Sequence, residues 1–329
     1  MTQDLTARIF SLNNDTGFLE TALEIFRYQS QNNPLYSEFT GRPGIKKKTV
    51  DDLTSLPFLP AEFFRNFRVF TENRKHELVF ESSGTTGSLK SRHFVADPSI
   101  YRKSFRKSFN LFYGDPSDYC IAALLPSYVE RQNSSLVYMM NDLIRLTGTP
   151  LSGFFKDDFR ELLATIAKAR KTERRIMLMG VSFALLDFAG EYSPDLSDVI
   201  VMETGGMKGK RKELTRDELH SILKEKFNAG VIHSEYGMTE LLSQAYSKGE
   251  GIFHCPPWMK IIIRDPHDPL SLTMEPGITG AINVIDLANV YSCSFIATDD
   301  LGKLREDGGF EVLGRIDDSD IRGCNLLIE

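Results

Sequence analysis

Nine consecutive residues, Ser82-Ser83-Gly84-Thr85-Thr86-Gly87-Ser88-Leu89-Lys90, concentrate hydroxyls, glycines and a cation. Glycines let backbone N–H groups approach phosphate oxygens, hydroxyls donate further hydrogen bonds, and Lys90 supplies positive charge. These are the requirements of a triphosphate cradle, with Thr86 and Lys90 closest to the chemistry. The pattern differs from a Walker loop: no lysine directly follows the second glycine and no helix opens there. A solvated hairpin turn is the competing reading of the same residues.

Further along, His233-Ser234-Glu235-Tyr236-Gly237-Met238-Thr239-Glu240 follows the strand-like Val231-Ile232. Ligands of open α/β sheets gather at such carboxyl ends. Tyr236 offers a flat face to a purine, and Glu240 an oxygen ligand to Mg²⁺ on phosphates. Thr204-Gly205-Gly206 follows another strand-like run, where glycines permit close backbone approach. Thr298-Asp299-Asp300-Leu301-Gly302, taken alone, is better read as an acidic turn without a ligand. Gly314-Arg315-Ile316-Asp317-Asp318 offers the permanently charged fork of Arg315.

These segments need elements to hold them. Leu78-Val79-Phe80 and His93-Phe94-Val95 flank the hydroxyl loop as strands. A helix follows, with Asp97 as cap and Pro98 at its first position. Its Tyr101, Phe105 and Phe109 recur every four residues and form a core stripe. Strands at Cys120–Leu125, Arg175–Met179 and Asp198–Met202 alternate with helices at Ser134–Arg145, Asp157–Arg170 and Thr215–Phe227. The last helix opens on a Thr215/Glu218 capping box. Almost no polar residue interrupts these strands, as expected when both faces are covered. The alternation predicts an α/β fold, with mostly parallel sheets flanked by helices. Before it, residues 1–75 read as a helical lead-in, with Leu19, Leu23 and Phe26 on one face and Pro57 and Pro60 as breakers. The nucleotide-binding core spans 76–250. From 251 to 329, Ile261–Arg264, Ala281–Ile285 and Phe310–Leu313 predict a small β-rich C-terminal subdomain.

The chain has 329 residues, 41% hydrophobic and 26% charged, an ordinary globular composition. Its net charge of -6 argues against nucleic-acid binding, which relies on a basic surface. The longest apolar stretch, Ile176 to Gly190, is interrupted by Ser182 and Asp187 and is too short to span a bilayer. The N-terminus has no basic-then-apolar signal pattern. The expectation is a cytoplasmic protein without a membrane partner. Cys120, Cys255, Cys293 and Cys324 are widely spaced, which suits reduced thiols rather than a disulfide frame.

In this order the motifs resemble those of the adenylate-forming superfamily, whose loop reads roughly [ST]-S-G-[ST]-T-G-x-x-K. The resemblance implies its large N-terminal-domain fold and the binding of ATP with Mg²⁺. Nucleotide contacts are implied for Ser82, Ser83, Gly84, Thr85, Thr86, Gly87, Gly205, Gly206, Glu235, Tyr236, Gly237, Thr239, Asp300 and Arg315, and a metal contact for Glu240. In the superfamily's T-G-D-x-G, register on Leu301-Gly302 places the ribose-binding Asp at Asp300, with Asp299 where a Gly is usual. The G-R-x-D-D hinge is normally followed by a lid domain carrying a lysine. Only Ser319–Glu329 follow here, so the expectation is an absent lid, with its charge supplied by Lys90, Arg92, Lys208 or a partner.

Leu125-Pro126-Ser127-Tyr128-Val129-Glu130-Arg131 and Ile321-Arg322-Gly323-Cys324-Asn325 narrow the resemblance to LuxE-type acyl-protein synthetases. That implies ATP-dependent activation of a carboxylic acid, a fatty acid by the family's habit, to acyl-AMP. The acyl group then passes to a thiol: Cys324, with Arg322 lowering its pKa, a carrier or partner protein, or coenzyme A. Two alternatives stay open, an aryl- or acyl-CoA ligase of the phenylacetate type and a catalytically silent nucleotide-binding subunit.

Overall fold

The computed structural model describes residues 2–45, 49–72, 74–83, 89–126, 131–205 and 214–316. Among these, one large mixed sheet organises the chain. Its parallel half runs in the order Gly153–Phe154, Tyr119–Leu124, Arg175–Val181, Val199–Thr204, Ile232–Tyr236. The sheet then continues without a break into antiparallel strands through Ala245–Ser247, Ile252–His254, Phe310–Arg315, Phe295–Leu304, Thr279–Asp286, Met259–Arg264 and Leu272–Thr273. Leu59–Pro60 adds to Phe295–Leu304 in parallel. A separate hairpin pairs Leu78–Glu81 with Arg92–Val95.

The strands Tyr119–Leu124 and Arg175–Val181 are buried throughout except at Arg175. Helices cover them: Ser135–Thr147, Phe159–Ala169, Ser182–Glu191 and Arg216–Phe227. Local signals place these helices well. Ser134 and Asp158 cap theirs, and the Thr215/Glu218 capping box closes in both directions. Helix Pro98–Tyr113 opens on Asp97 and buries Tyr101, Phe105 and Phe109, as the spacing predicts. The apolar stretch from Ile176 to Gly190 is a strand followed at once by a helix, and no helix among the described residues is long and apolar enough to cross a membrane.

The lead-in is helical, with Thr2–Ile9, Asp15–Asn32 and Pro34–Gly41. Its buried face is rotated by one residue from the expected one. Phe18, Ala22, Ile25 and Gln29 point inward, whereas Leu19, Leu23 and Phe26 flank them and are half-buried. Gln29 decides the rotation. Its Nε2 donates to the carbonyls of Asn289 and Val290 at 2.9 and 3.0 Å, and its Oε1 accepts from Ser294 N at 3.0 Å. Burying a polar side chain is tolerable once its bonds are made, and these partners lie some 260 residues away.

Candidate active site

The carboxyl ends of Val199–Thr204 and Ile232–Tyr236 open into a cavity of about 640 Å³ whose other wall includes the hairpin. Ser82 and Ser91 close the hairpin's mouth. Ser82 N donates to Ser91 O and Ser91 N to Ser82 Oγ, both at 3.0 Å. Ser82, Ser83, Lys90 and Ser91 all line the cavity, and Lys90 Nζ stands 3.7 Å from Glu81. Gly84, Thr85, Thr86 and Gly87 lie outside the described residues, as do Gly206, Lys208 and Cys324.

The Met238–Glu240 turn is held against this hairpin. His93 is fully buried and burial pulls its pKa down to about 4, so the ring is neutral; the 2.8 Å contact from its Nδ1 to Thr239 O therefore needs the proton on Nδ1. Asn289 Nδ2 donates to Glu240 O at 2.7 Å. Beyond the turn, Asp286 accepts from Leu242 N at 2.7 Å, Ser243 Oγ at 2.6 Å and Ala288 N at 3.1 Å. Burial nonetheless raises Asp286 to about 6.

Glu240 is itself buried and lines the cavity. Burial raises its pKa, opposed by a bond to the Ser91 side chain and by the charges of Arg65 and Arg315. No cluster of three or more His, Cys, Asp or Glu able to hold a metal exists among the described residues. A single carboxylate with neighbouring hydroxyls fits Mg²⁺ carried in on phosphates, which keeps most of its other ligands from substrate and water.

Asp300 faces the same cavity from the antiparallel half. Tyr236 Oη donates to its Oδ2 at 2.8 Å, and Arg315, its cross-strand partner, brings Nε to 3.6 Å of Oδ1. Burial raises the Asp300 pKa, with the Tyr236 bond and Arg315 opposing it. The expected role of Tyr236 needs correction. Its ring is 9% exposed and packs edge-on against Phe253 and Phe310, with centroids at 6.0 and 5.6 Å. It supports Asp300 from behind through its hydroxyl and is not part of the cavity lining. Phe253 is likewise fully buried behind it.

Gly205 has φ 67°, where a side chain is strained, and its carbonyl accepts from Ser182 Oγ. Glu235 lines the cavity and accepts from the Thr204 hydroxyl. Burial, with Glu203 nearby, raises its pKa to about 7. Gly237, Thr239, Asp299 and Arg315 complete the recognised lining.

Sequence reasoning missed several lining residues. Arg65 lies on the short helix Phe63–Asn66, inside what the sequence shows only as a Pro-rich connection. Arg131 sits in a segment that carries the family resemblance without a role. Tyr101, assigned to a core stripe, reaches the cavity too, as do Met139 and Gln244. Apart from Arg131, none belongs to a motif; only the fold brings them in. The three described cysteines read as structural. Burial pushes Cys255 and Cys293 up to about 12 and raises Cys120, so none favours a thiolate.

Solved structures share this architecture. ATP-bound MatB from Rhodopseudomonas palustris superposes with a TM-score of 0.54 at 18% identity, covering 85% of this chain. The luciferase-like enzyme from the nonluminescent mealworm Zophobas morio gives 0.51 at 17% identity and 86% coverage. The chain spans 52% and 64% of those two chains, and at these identities the likeness establishes a shared fold. In sequence, it is 27% identical over 326 residues to a long-chain-fatty-acid–luciferin-component ligase of Vibrio harveyi, covering 92% of this chain and 84% of that one. The counterpart from Aliivibrio fischeri is 24% identical over 332 residues, at 92% and 85% coverage. The family model for LuxE acyl-protein synthetase matches residues 10–329, and by that match the chain belongs to the LuxE acyl-protein synthetase family.

Proposed function

We propose that the cavity binds ATP with Mg²⁺ and activates a carboxylic acid as its acyl-adenylate, then yields the acyl group to a thiol. One observation carries this reading. The two ends of the hydroxyl loop, the Thr239–Glu240 turn and the Asp300–Arg315 pair come from three separate parts of the chain and line one cavity. Asp300 would accept from ribose hydroxyls, and Arg315, 3.6 Å from it, would meet the nucleotide. Ser82, Ser83 and Lys90 would hold the phosphates, with Arg65 adding charge near Glu240. Glu240 would hold the magnesium, which when bound neutralises phosphate charge. Positioning and fixed charge then supply most of the acceleration.

A carboxylate oxygen attacks the α-phosphorus, the bond to the bridging oxygen breaks, and pyrophosphate leaves. A thiolate next attacks the acyl carbon and AMP leaves with the bonding pair. Cys324 is the proposed acceptor, with a carrier protein's thiol or coenzyme A as the other arms of the test. The long-chain fatty acid named for both bacterial relatives makes a fatty acyl chain the first substrate class to try.

The test is acid-dependent exchange of labelled pyrophosphate into ATP. Exchange with a carboxylic acid is expected; its absence with every acid tried, while ATP still binds, would favour a silent nucleotide-binding subunit. Mass spectrometry after incubation with acid and ATP locates the acceptor. An adduct lost in Cys324→Ser supports the cysteine, and thioester formation that persists in that variant and needs coenzyme A supports a CoA ligase.

A further inference from the structure

Tyr101, Leu136, Met139 and Val181 give the cavity an apolar wall suited to an acyl chain. Set into the same lining are two buried polar side chains to which the adenylation steps above give no role, one of them, Glu235, a nucleotide contact by the resemblance. Glu235 and Gln244 are 7% and 4% exposed. Both side chains pass Gly237: a side-chain carbon there would collide with Glu235 Oε1 and would stand 3.4 Å from the Gln244 Cγ methylene. Thr204 occupies Glu235 Oε2. Gln244 Oε1 is buried with no hydrogen-bond partner among the described residues.

An unmet buried amide destabilises a fold, so a site that keeps one gains most when a ligand satisfies it. A plain hydrocarbon chain would seal both groups away from water and offer them nothing. A hydroxyl is matched to the pair, since it accepts from a protonated carboxyl and donates to an amide oxygen. It also serves if the amide is turned the other way. Burial favours the protonated, donor form of Glu235, which a neutral hydroxyl can meet as acceptor. Around Glu235 stand the rings of Tyr101, Tyr113 and Tyr246 and the carboxylate of Glu203, which opposes ionisation. Gly237 lies three residues before Glu240, so the bonded group must be close to the reacting end of the acid.

We propose, resting on the acyl-adenylate reading above, that the substrate is an acid with a hydroxyl on one of the carbons nearest its carboxylate, held between Glu235 and Gln244. The site thereby selects hydroxylated acyl chains over unsubstituted ones of equal length.

Pyrophosphate exchange with the full chain and MgATP, using acids of matched carbon number, tests this. The set is unsubstituted, 2-hydroxy, 3-hydroxy and 2-amino. At least one hydroxy acid is expected to exceed the unsubstituted acid in kcat/KM by about tenfold or more. Gln244→Met should bring that ratio to within about threefold while keeping or raising Tm, because it removes an unmet polar group. Glu235→Gln, read by the same ratio, covers the case where the first variant does not fold. Equal use of both acids, a ratio unmoved by either variant, or a preference for the 2-amino acid would overturn the proposal. No exchange with any acid would instead remove the adenylation reading, and this inference with it.

Discussion

Asp300 and Gln244 line the same cavity, yet their side chains are treated in opposite ways. Both oxygens of Asp300 are engaged, by Tyr236 at 2.8 Å and Arg315 at 3.6 Å. Gln244 keeps an amide oxygen buried and unpaired. The Glu240 turn belongs with Asp300: His93, Asn289 and Asp286 fix it from three sides. A carboxylate held at both oxygens can present the same geometry to every nucleotide, even though His93 Nε2 and Asn289 Oδ1, which take no part in the bonds to the turn, have no hydrogen-bond partner among the described residues. An incompletely bonded side chain distinguishes among partners, because only some of them complete it. The fixed wall should therefore carry rate, and the unfinished one selectivity.

The strongest way to break this contrast is Glu240→Gln. The substitution keeps the shape and removes the charge that the proposed magnesium needs. Acid-dependent pyrophosphate exchange should fall by about a hundredfold or more, the scale of losing one electrostatic stabiliser. A fall of similar size for every acid would place Glu240 on the rate side. A fall that depends on the acid would erase the division.

The His93 support can be tested through pH. The His93 pKa lies near 4 in the fold against an ordinary 6.5, so between these values the unfolded chain binds the proton and the folded one does not. That contribution to stability is complete above about pH 6.5 and is lost as pH falls toward 4. Glu235 and Asp286 act in the opposite sense. Their raised values, about 7 and about 6, mean stability present below their ordinary range and lost as pH rises through those values. His93→Gln keeps a donor for Thr239 O and abolishes the titration. Urea unfolding should show wild type losing about 3 kcal/mol more than the variant between pH 6.5 and 4. Parallel pH profiles would mean that His93 does not hold the turn in its neutral form.

What the sequence revealed follows the range of the interactions involved. Asp97-Pro98 and Thr215/Glu218 act within one helical turn, and both helix starts are where those residues place them. The motif segments are also contiguous, so Ser82–Lys90, Thr239–Glu240 and Asp300–Arg315 could be nominated without knowing the fold. The buried face of Asp15–Asn32 could not be, because Gln29 satisfies its bonds on residues 289–294. Arg65 escaped for a related reason. It reaches the cavity because Leu59–Pro60 joins the strand Phe295–Leu304, a pairing that no local pattern announces. The part played by Tyr236 was misjudged because an aromatic ring in a motif looks the same whether its face or its hydroxyl is used. Phe253 and Phe310, brought up by distant strands, pack edge-on against that ring.

That correction leads to a smaller effect. Tyr236→Phe leaves the packing intact and frees one oxygen of Asp300. The KM for ATP should rise by about threefold to tenfold, with kcat changed less, the scale of one typical net hydrogen bond. A loss confined to kcat would tie the hydroxyl to the transition state instead of the nucleotide's resting position.

The smallest effect separates two neighbouring carboxylates. Asp299 is 63% exposed and meets Arg315 at 3.8 Å, whereas the Asp300 side chain is 20% exposed and bonded to Tyr236. A solvent-exposed pair contributes little, since water screens it and two long side chains must be ordered to make it. Asp299→Asn should change stability by less than about 0.5 kcal/mol. It should also leave the KM for ATP within about twofold, whereas Asp300→Asn raises it by about tenfold, because a bonded, buried acceptor is being neutralised. The sequence places these residues in a motif whose register depends on Leu301-Gly302 alone. If Asp299→Asn proved the more damaging of the two, the ribose would have to be met one residue earlier, and Tyr236 would be supporting the wrong carboxylate.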